Sequence, residues 1–316
     1  MLTDWFAVQN NQRASIHMMN RRSFLQTAGA LAAASAILPT SGVAMAAGHQ
    51  YKLGLQLYTV RDEMAKNPIA TLNKVKAMGY QDFELYGFDH EKEAYYGYKS
   101  SDFKTILDDL GLTASSCHYG FSEYLDSSDS DLMRFVDRCI KGAHALNTPY
   151  ITWPWIAPEQ RTLDNFKRMT GMLNKIGEQV GKSGLGFAYH NHGFEFDDHN
   201  GQNGFDIMLS ETDPALVKLQ MDMYWIMHSA KTTPKQLVKQ HPGRFVMWHI
   251  KDMDTLTRDY TELGKGSINY LNVLPDPGQS GLEYYYIEQG GNFARSSIQS
   301  VATSAAYFQK HLQTLI

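Results

Sequence analysis

The stretch Gly186-Phe187-Ala188-Tyr189-His190-Asn191-His192-Gly193-Phe194-Glu195-Phe196 decides how this chain is read. An apolar, β-favouring run leads into two histidines and then a carboxylate, as in a buried strand whose carboxyl end carries chemistry. Three later runs end the same way: VKLQMD at Asp222, RFVMWH at His249 and YYYIE at Glu288. His190, Asp222, His249 and Glu288 are therefore a candidate four-ligand set for one divalent metal ion. Imidazole and carboxylate donors suit a borderline cation such as Mn²⁺, Zn²⁺ or Co²⁺, and Mg²⁺ stays among the candidates.

Working outward, short β-rich runs alternate with longer helical patterns from Leu53 onward. The runs are 53–58, 82–86, 113–118, 150–153, 186–190, 217–222, 245–250 and 284–288, with apolar residues at helical spacing in 69–78, 102–110, 132–146 and 163–182. Repeated βα units of this kind imply a parallel sheet, and eight of them imply a (β/α)8 TIM barrel. Glycines at the helix-to-strand turns, in AMGYQDFEL, DLGLTASS and KSGLGFAY, suit the left-handed position that ends a helix. In such a barrel the active site lies at the carboxyl ends of the strands, where each candidate ligand falls. Glu84 and His118 end earlier runs and are expected to complete a substrate pocket. Trp153-Pro154-Trp155, Tyr58 and Tyr86 are expected to add aromatic walls at the same mouth, with Trp153 taken as a substrate-binding residue. Lys251 follows His249 closely and is placed at the mouth, not deep in the barrel, as a substrate-binding or oxyanion-stabilising residue.

The amino terminus has a different composition. Asn20-Arg21-Arg22-Ser23-Phe24-Leu25-Gln26 precedes an alanine-rich apolar run and then Ala44-Met45-Ala46. This order matches a twin-arginine export signal, with cleavage expected after Ala46. Residues before Met18 or Met19 show no pattern and are read as an over-long start. The division expected is 1–46 as signal and 47–316 as one barrel domain in the periplasm, with the export machinery as a partner and no stable membrane anchor. Removing Arg13, Arg21, Arg22 and Asp4 takes the formal net charge from −4 to −6, which argues against a nucleic-acid partner. Cys117 and Cys139 have neither zinc-knuckle spacing nor a dense disulfide framework, so two buried thiols are expected, with a single bridge as the alternative.

With these pieces together, LGLQLYTVRDEM, GYQDFELYG, YHNHGFEF, LQMDMYW, WHIKDMD, ELGKGSINY and YYYIEQ, the chain resembles the sugar phosphate isomerase/epimerase family of xylose isomerase-like barrels over nearly its whole mature length. The resemblance implies one divalent metal held by Glu, Asp, His and Glu on successive late strands. Asp222, His249 and Glu288 match three of these positions, and His190 stands where the common pattern has glutamate. A two-glutamate acid/base pair is thus not transferable, and His190 is left as ligand or base, with His192 as the other imidazole. The ELGKG turn, Glu262 to Gly266, matches the family and not a Walker phosphate loop.

The chemistry this implies is proton abstraction next to a carbonyl, with His190, His192 and Glu288 as proton-transfer candidates and Lys251 beside the developing oxyanion. Reprotonation gives an isomerase or epimerase; loss of a β-substituent gives a 3-keto-glycoside lyase or an inosose-type dehydratase. Export favours an unphosphorylated sugar, keto sugar or glycoside as substrate. A non-catalytic periplasmic sugar-binding protein is the alternative of another class, and self-association into a homo-oligomer is compatible with either.

Overall fold

A computed structural model describes residues 51–316, and Gln50–Ile316 form one compact unit. The signal segment and the cleavage site expected after Ala46 lie outside the described residues. Eight parallel strands close into a barrel: β1 Gly54–Gln56, β2 Asp82–Leu85, β3 Thr113–His118, β4 Tyr150–Trp153, β5 Gly186–His190, β6 Lys218–Asp222, β7 Met247–Ile250 and β8 Tyr284–Ile287. Each strand pairs with the next in sequence, and Leu55 registers with Ile287 where β1 closes on β8. That closure depends on Gly54, because a Cβ there would lie 2.0 Å from the carbonyl oxygen of Tyr285.

All eight strands fall within or beside the runs read from sequence. β1 is shorter than expected because the Gln56 side chain accepts the Tyr58 N–H at 3.0 Å and starts a 3-10 turn over Leu57–Val60. The three turn glycines do take left-handed backbone: φ is 102° at Gly79, 65° at Gly111 and 82° at Gly184. The helix Asp129–Leu146 shows how the outer layer forms. Ser128 caps it by accepting the Asp131 N–H, worth roughly 1 kcal/mol. Leu132, Phe135, Val136, Cys139, Ala143 and Leu146 then recur at three- and four-residue steps and bury one face.

Alternation along the strands sorts the interior from the helix-facing layer. Tyr150, Ala188, Met247 and Tyr286 form a separate apolar cluster that fills the lower barrel. Phe83, Cys117, Ile151, Trp153, Tyr189, Met221, Trp248 and Ile287 belong to the larger core between strands and helices. Cys117 and Cys139 are both free and buried, and burial pushes the Cys117 thiol up to about 12. The same alternation carries Glu84, Thr152, His190, Asp222 and His249 to the inner face at the carboxyl ends of their strands. No helix among the described residues is long and apolar enough to cross a membrane.

Candidate active site

The end of β6 fixes Asp222 with both of its functions divided between its two oxygens. Its Oδ1 accepts the Trp225 N–H at 3.1 Å and caps the helix Met223–Ser229. Its own N–H donates to Asn191 Oδ1 at 3.0 Å. Oδ2 is then left facing the barrel mouth, 2.7 Å from Lys251 Nζ and 3.6 Å from His190 Nε2, without a directed hydrogen bond.

Lys251 lies at the barrel mouth with its side chain buried. Alternation continues past β7, so its side chain lies on the same inner face as that of His249. Its Nζ lies 2.7 Å from Asp222 Oδ2 and 2.6 Å from Glu288 Oε2, and 5.8 Å from the centre of the Tyr260 ring. Burial alone would lower the ammonium's pKa, but the two carboxylates outweigh that and raise it above the ordinary lysine value. Tyr270 fixes the backbone beneath it: its hydroxyl accepts the Lys251 N–H at 3.1 Å and donates to the Lys251 carbonyl.

Glu84 is fully buried and serves as the hub of the inner layer. Its Oε1 accepts from Ser116 Oγ and Gln220 Nε2, both at 2.6 Å, and its Oε2 from Gln56 Nε2 at 2.7 Å. The same Oε2 meets His249 Nε2 at 2.6 Å and His118 Nε2 at 2.9 Å. Burial raises this carboxyl's pKa, yet His118 and His249 more than offset it and hold the group well below the usual range. Glu84 thus orients two imidazoles within the protein, and the structure gives it no open face as a substrate ligand.

His249 is the junction. Its Nδ1 is 2.6 Å from Glu288 Oε2 while Nε2 meets Glu84. Burial acts to lower its pKa, but Glu84 and Glu288 raise it to about 9. Glu288 is pushed up by burial and pulled further down by Lys251 and His249, so it stays ionised. His190 and His192 behave oppositely. Burial, with the neighbouring imidazoles and Lys251, holds both well below the ordinary histidine value. Their Nδ1 atoms have no hydrogen-bond partner, and their ring centres lie 4.8 Å apart. Glu195 supports this pair from beneath: it accepts the Tyr189 hydroxyl and the His192 N–H, each at 2.8 Å.

A divalent cation fits this donor set. Asp222, His249 and Glu288 each offer one ligand atom within 4.8 Å of the others, and His118, His190 and His249 form a second such group. Both groups share His249. Burial raises the Asp222 pKa even with the Lys251 ammonium at 2.7 Å, so the carboxylate is not fully compensated and a further positive charge would stabilise it.

Trp153 does not line the mouth. It is fully buried, 5.3 Å from Phe121 between ring centres, and its indole N–H donates to the Trp155 carbonyl at 2.9 Å. As the outward member of its strand pair it supports Trp155, whose own side chain is exposed. Gln56, Gln220, Asn191 and Tyr270 were not anticipated as site residues. The first two were findable, since Gln220 lies two residues before Asp222 on one strand face and Gln56 ends β1.

Comparison with known proteins agrees with this architecture. Residues 18–37 match the family model described as the twin-arginine translocation pathway signal sequence. No curated protein matches the chain. Among solved structures, a sugar phosphate isomerase/epimerase from Parabacteroides distasonis ATCC 8503 is 27% identical, covering 87% of this chain and 99% of its own at a TM-score of 0.73. A second sugar phosphate isomerase/epimerase structure from that organism is 26% identical, covering 83% and 99% at 0.71. The IOLI protein, solved with a binding zinc atom, shares the fold at 15% identity, covering 84% and 99% at 0.66. The chain therefore carries a twin-arginine export signal ahead of a xylose isomerase-like (β/α)8 barrel, with sugar phosphate isomerase/epimerases among its structural neighbours.

Proposed function

We propose that the protein is a divalent-metal-dependent isomerase or epimerase that removes a proton next to the carbonyl of an unphosphorylated sugar or keto sugar in the periplasm, as a mature domain spanning 47–316. The observation that carries this reading is the division of charge at the barrel mouth: two imidazoles kept neutral beside a buried ammonium and two carboxylates. Asp222, His249 and Glu288, with His190 alongside, would hold the cation. When bound, such a cation supplies Lewis-acid polarisation of the substrate carbonyl.

His190 or His192 takes the proton from the carbon next to the carbonyl. A neutral imidazole with an open ring nitrogen is the form a general base needs. The C–H electron pair moves toward the carbonyl oxygen, where the Lys251 ammonium can donate a hydrogen bond to the growing negative charge. Return of the proton to the same or the neighbouring carbon gives an epimer or an isomer. Glu288 is held ionised by Lys251 and His249, so holding a cation suits it better than shuttling a proton.

The export signal favours an unphosphorylated substrate, because phosphorylated sugars are chiefly cytoplasmic metabolites; with a 3-keto glycoside the same first step has a second outcome, expulsion of the C1 substituent after loss of the C2 proton. Solvent-deuterium exchange detects the shared first step for either outcome. With metal-loaded protein and a panel of ketoses and 3-keto glycosides, deuterium is expected to enter next to the carbonyl and to stop after verified metal removal. His192→Gln should slow exchange by about 10²–10⁴-fold with metal retained if His192 is the base. Undiminished exchange in the metal-free protein rejects the reading. Stoichiometric metal in both Asp222→Ala and His249→Ala rejects the ligand set.

A further inference from the structure

A second cleft opens on the same end of the barrel, in the loops that follow β3 and β4. It has a volume of ≈ 350 Å³ and is lined by Ser122, Glu123, Trp155, Glu159 and Gln160, among others. Binding sites for small ligands start at about 300 Å³, so the cleft has the size for a single ring. Trp155 is 40% exposed beside it, an unusual state for the largest apolar side chain.

Hydrogen bonds tie the two loops of the cleft together. Ser122 Oγ donates to Gln160 Oε1 at 2.7 Å and accepts the Ala157 N–H at 3.0 Å, while Gln160 Nε2 donates to the Ser122 carbonyl at 3.2 Å. The Glu123 and Glu159 side chains are exposed at its rim, where their carboxylates can accept from hydroxyl groups. A continuous wall joins the cleft to the barrel mouth. His192 stacks on Phe194 at 5.5 Å, the Arg161 guanidinium lies 3.9 Å over Phe194, and the same group lies 5.3 Å over Trp155. Arg161 is itself fixed by donating twice to the Ile156 carbonyl at 3.2 Å.

We infer that this cleft is an accessory subsite for the second ring of a disaccharide or glycoside, whose first ring occupies the Asp222–His249–Glu288 end of the barrel. The inference rests on the sugar reading above and narrows it to a substrate class. An aromatic face covers the apolar side of a sugar ring, and carboxylates bind its hydroxyls.

Saturation-transfer NMR on the mature chain with glucose and cellobiose tests this without relying on turnover. Cellobiose is expected to bind about tenfold more tightly than glucose, with protons of both rings saturated. Trp155→Ala should abolish the second-ring signals and the tenfold advantage while glucose binding is kept. Trp155→Phe should retain most of both. Equal losses for glucose and cellobiose in Trp155→Ala, or no loss for either, overturn the subsite and leave the proposed chemistry standing. Absence of binding by every sugar, together with no deuterium exchange, overturns the chemistry as well.

Discussion

Lys251 and Glu195 show how single side chains set the properties of this barrel mouth. The Lys251 ammonium balances Asp222 and Glu288 inside the protein. Lys251→Met keeps the volume and removes the charge, leaving two buried carboxylates uncompensated. Breaking a buried pair in this way costs about 3–5 kcal/mol, so the variant should melt well below the parent in chelator. Excess divalent cation should restore much of that loss, because it supplies the missing charge to the same oxygens. Thermal melts with and without chelator check this, and equal stability in chelator would show that the ammonium does not balance the site. For Glu195, burial raises the carboxyl from 4.5 to about 8 despite hydrogen bonds from Tyr189 and His192. The folded chain therefore binds this proton more readily than the unfolded one. The resulting stabilisation is complete below about pH 4.5 and is lost as pH rises toward 8, on the order of a few kcal/mol. Glu195→Gln should flatten this slope, so the parent should lose stability relative to the variant between pH 5 and pH 8. Urea midpoints at the two pH values measure it, and parallel curves would place the Glu195 titration elsewhere.

At the scale of elements, one carboxylate ties the start of the loop after β7 to the ELGKG turn. Asp252 is buried; its Oδ2 accepts the N–H groups of Gly264 and Gly266 at 2.8 and 3.1 Å, and its Oδ1 those of Met253 and Ile268 at 2.8 and 3.1 Å. Gly266 is required for this approach, since a Cβ would lie 2.3 Å from Asp252 Oδ1. Asp252→Ala leaves these donors without an acceptor, at roughly 1–3 kcal/mol for each that stays buried. Hydrogen exchange at the 264, 266 and 268 amides should then quicken by tenfold or more, and unchanged rates would show that other contacts hold the loop. The ELGKG turn was visible in sequence as a family feature, but its anchor was not. Asp252 is adjacent to Lys251 in sequence and faces a different set of partners, which no local pattern announces. The strands were legible because each is a short apolar run closed by a turn signal. Their ends were less so, as at Gln56, where a side-chain cap converts the expected strand residues into a 3-10 turn.

For the whole molecule, the twin-arginine signal and the barrel make separable predictions. Replacing Arg21 and Arg22 by lysine should leave precursor in the cytoplasm, read by fractionation and immunoblotting; export at the parental level would point to another route. The sequence by itself determined the eight βα units, the parallel sheet they require, the end of the barrel that carries chemistry and the export signal, since hydrophobic periodicity and compositional punctuation are local properties of a chain. It also placed His190, Asp222, His249 and Glu288 at strand ends. Tertiary structure alone decided which of these meet. Closure of the sheet brings Glu84 from β2 across to His249 on β7, and sets Lys251 between Asp222 and Glu288. Strand parity turned Trp153 outward into the core, while Trp155, past the end of β4, is exposed beside the second cleft. Charge pairing and burial depend on distances between residues far apart in sequence, so the protonation states at this mouth exist only once the barrel has closed.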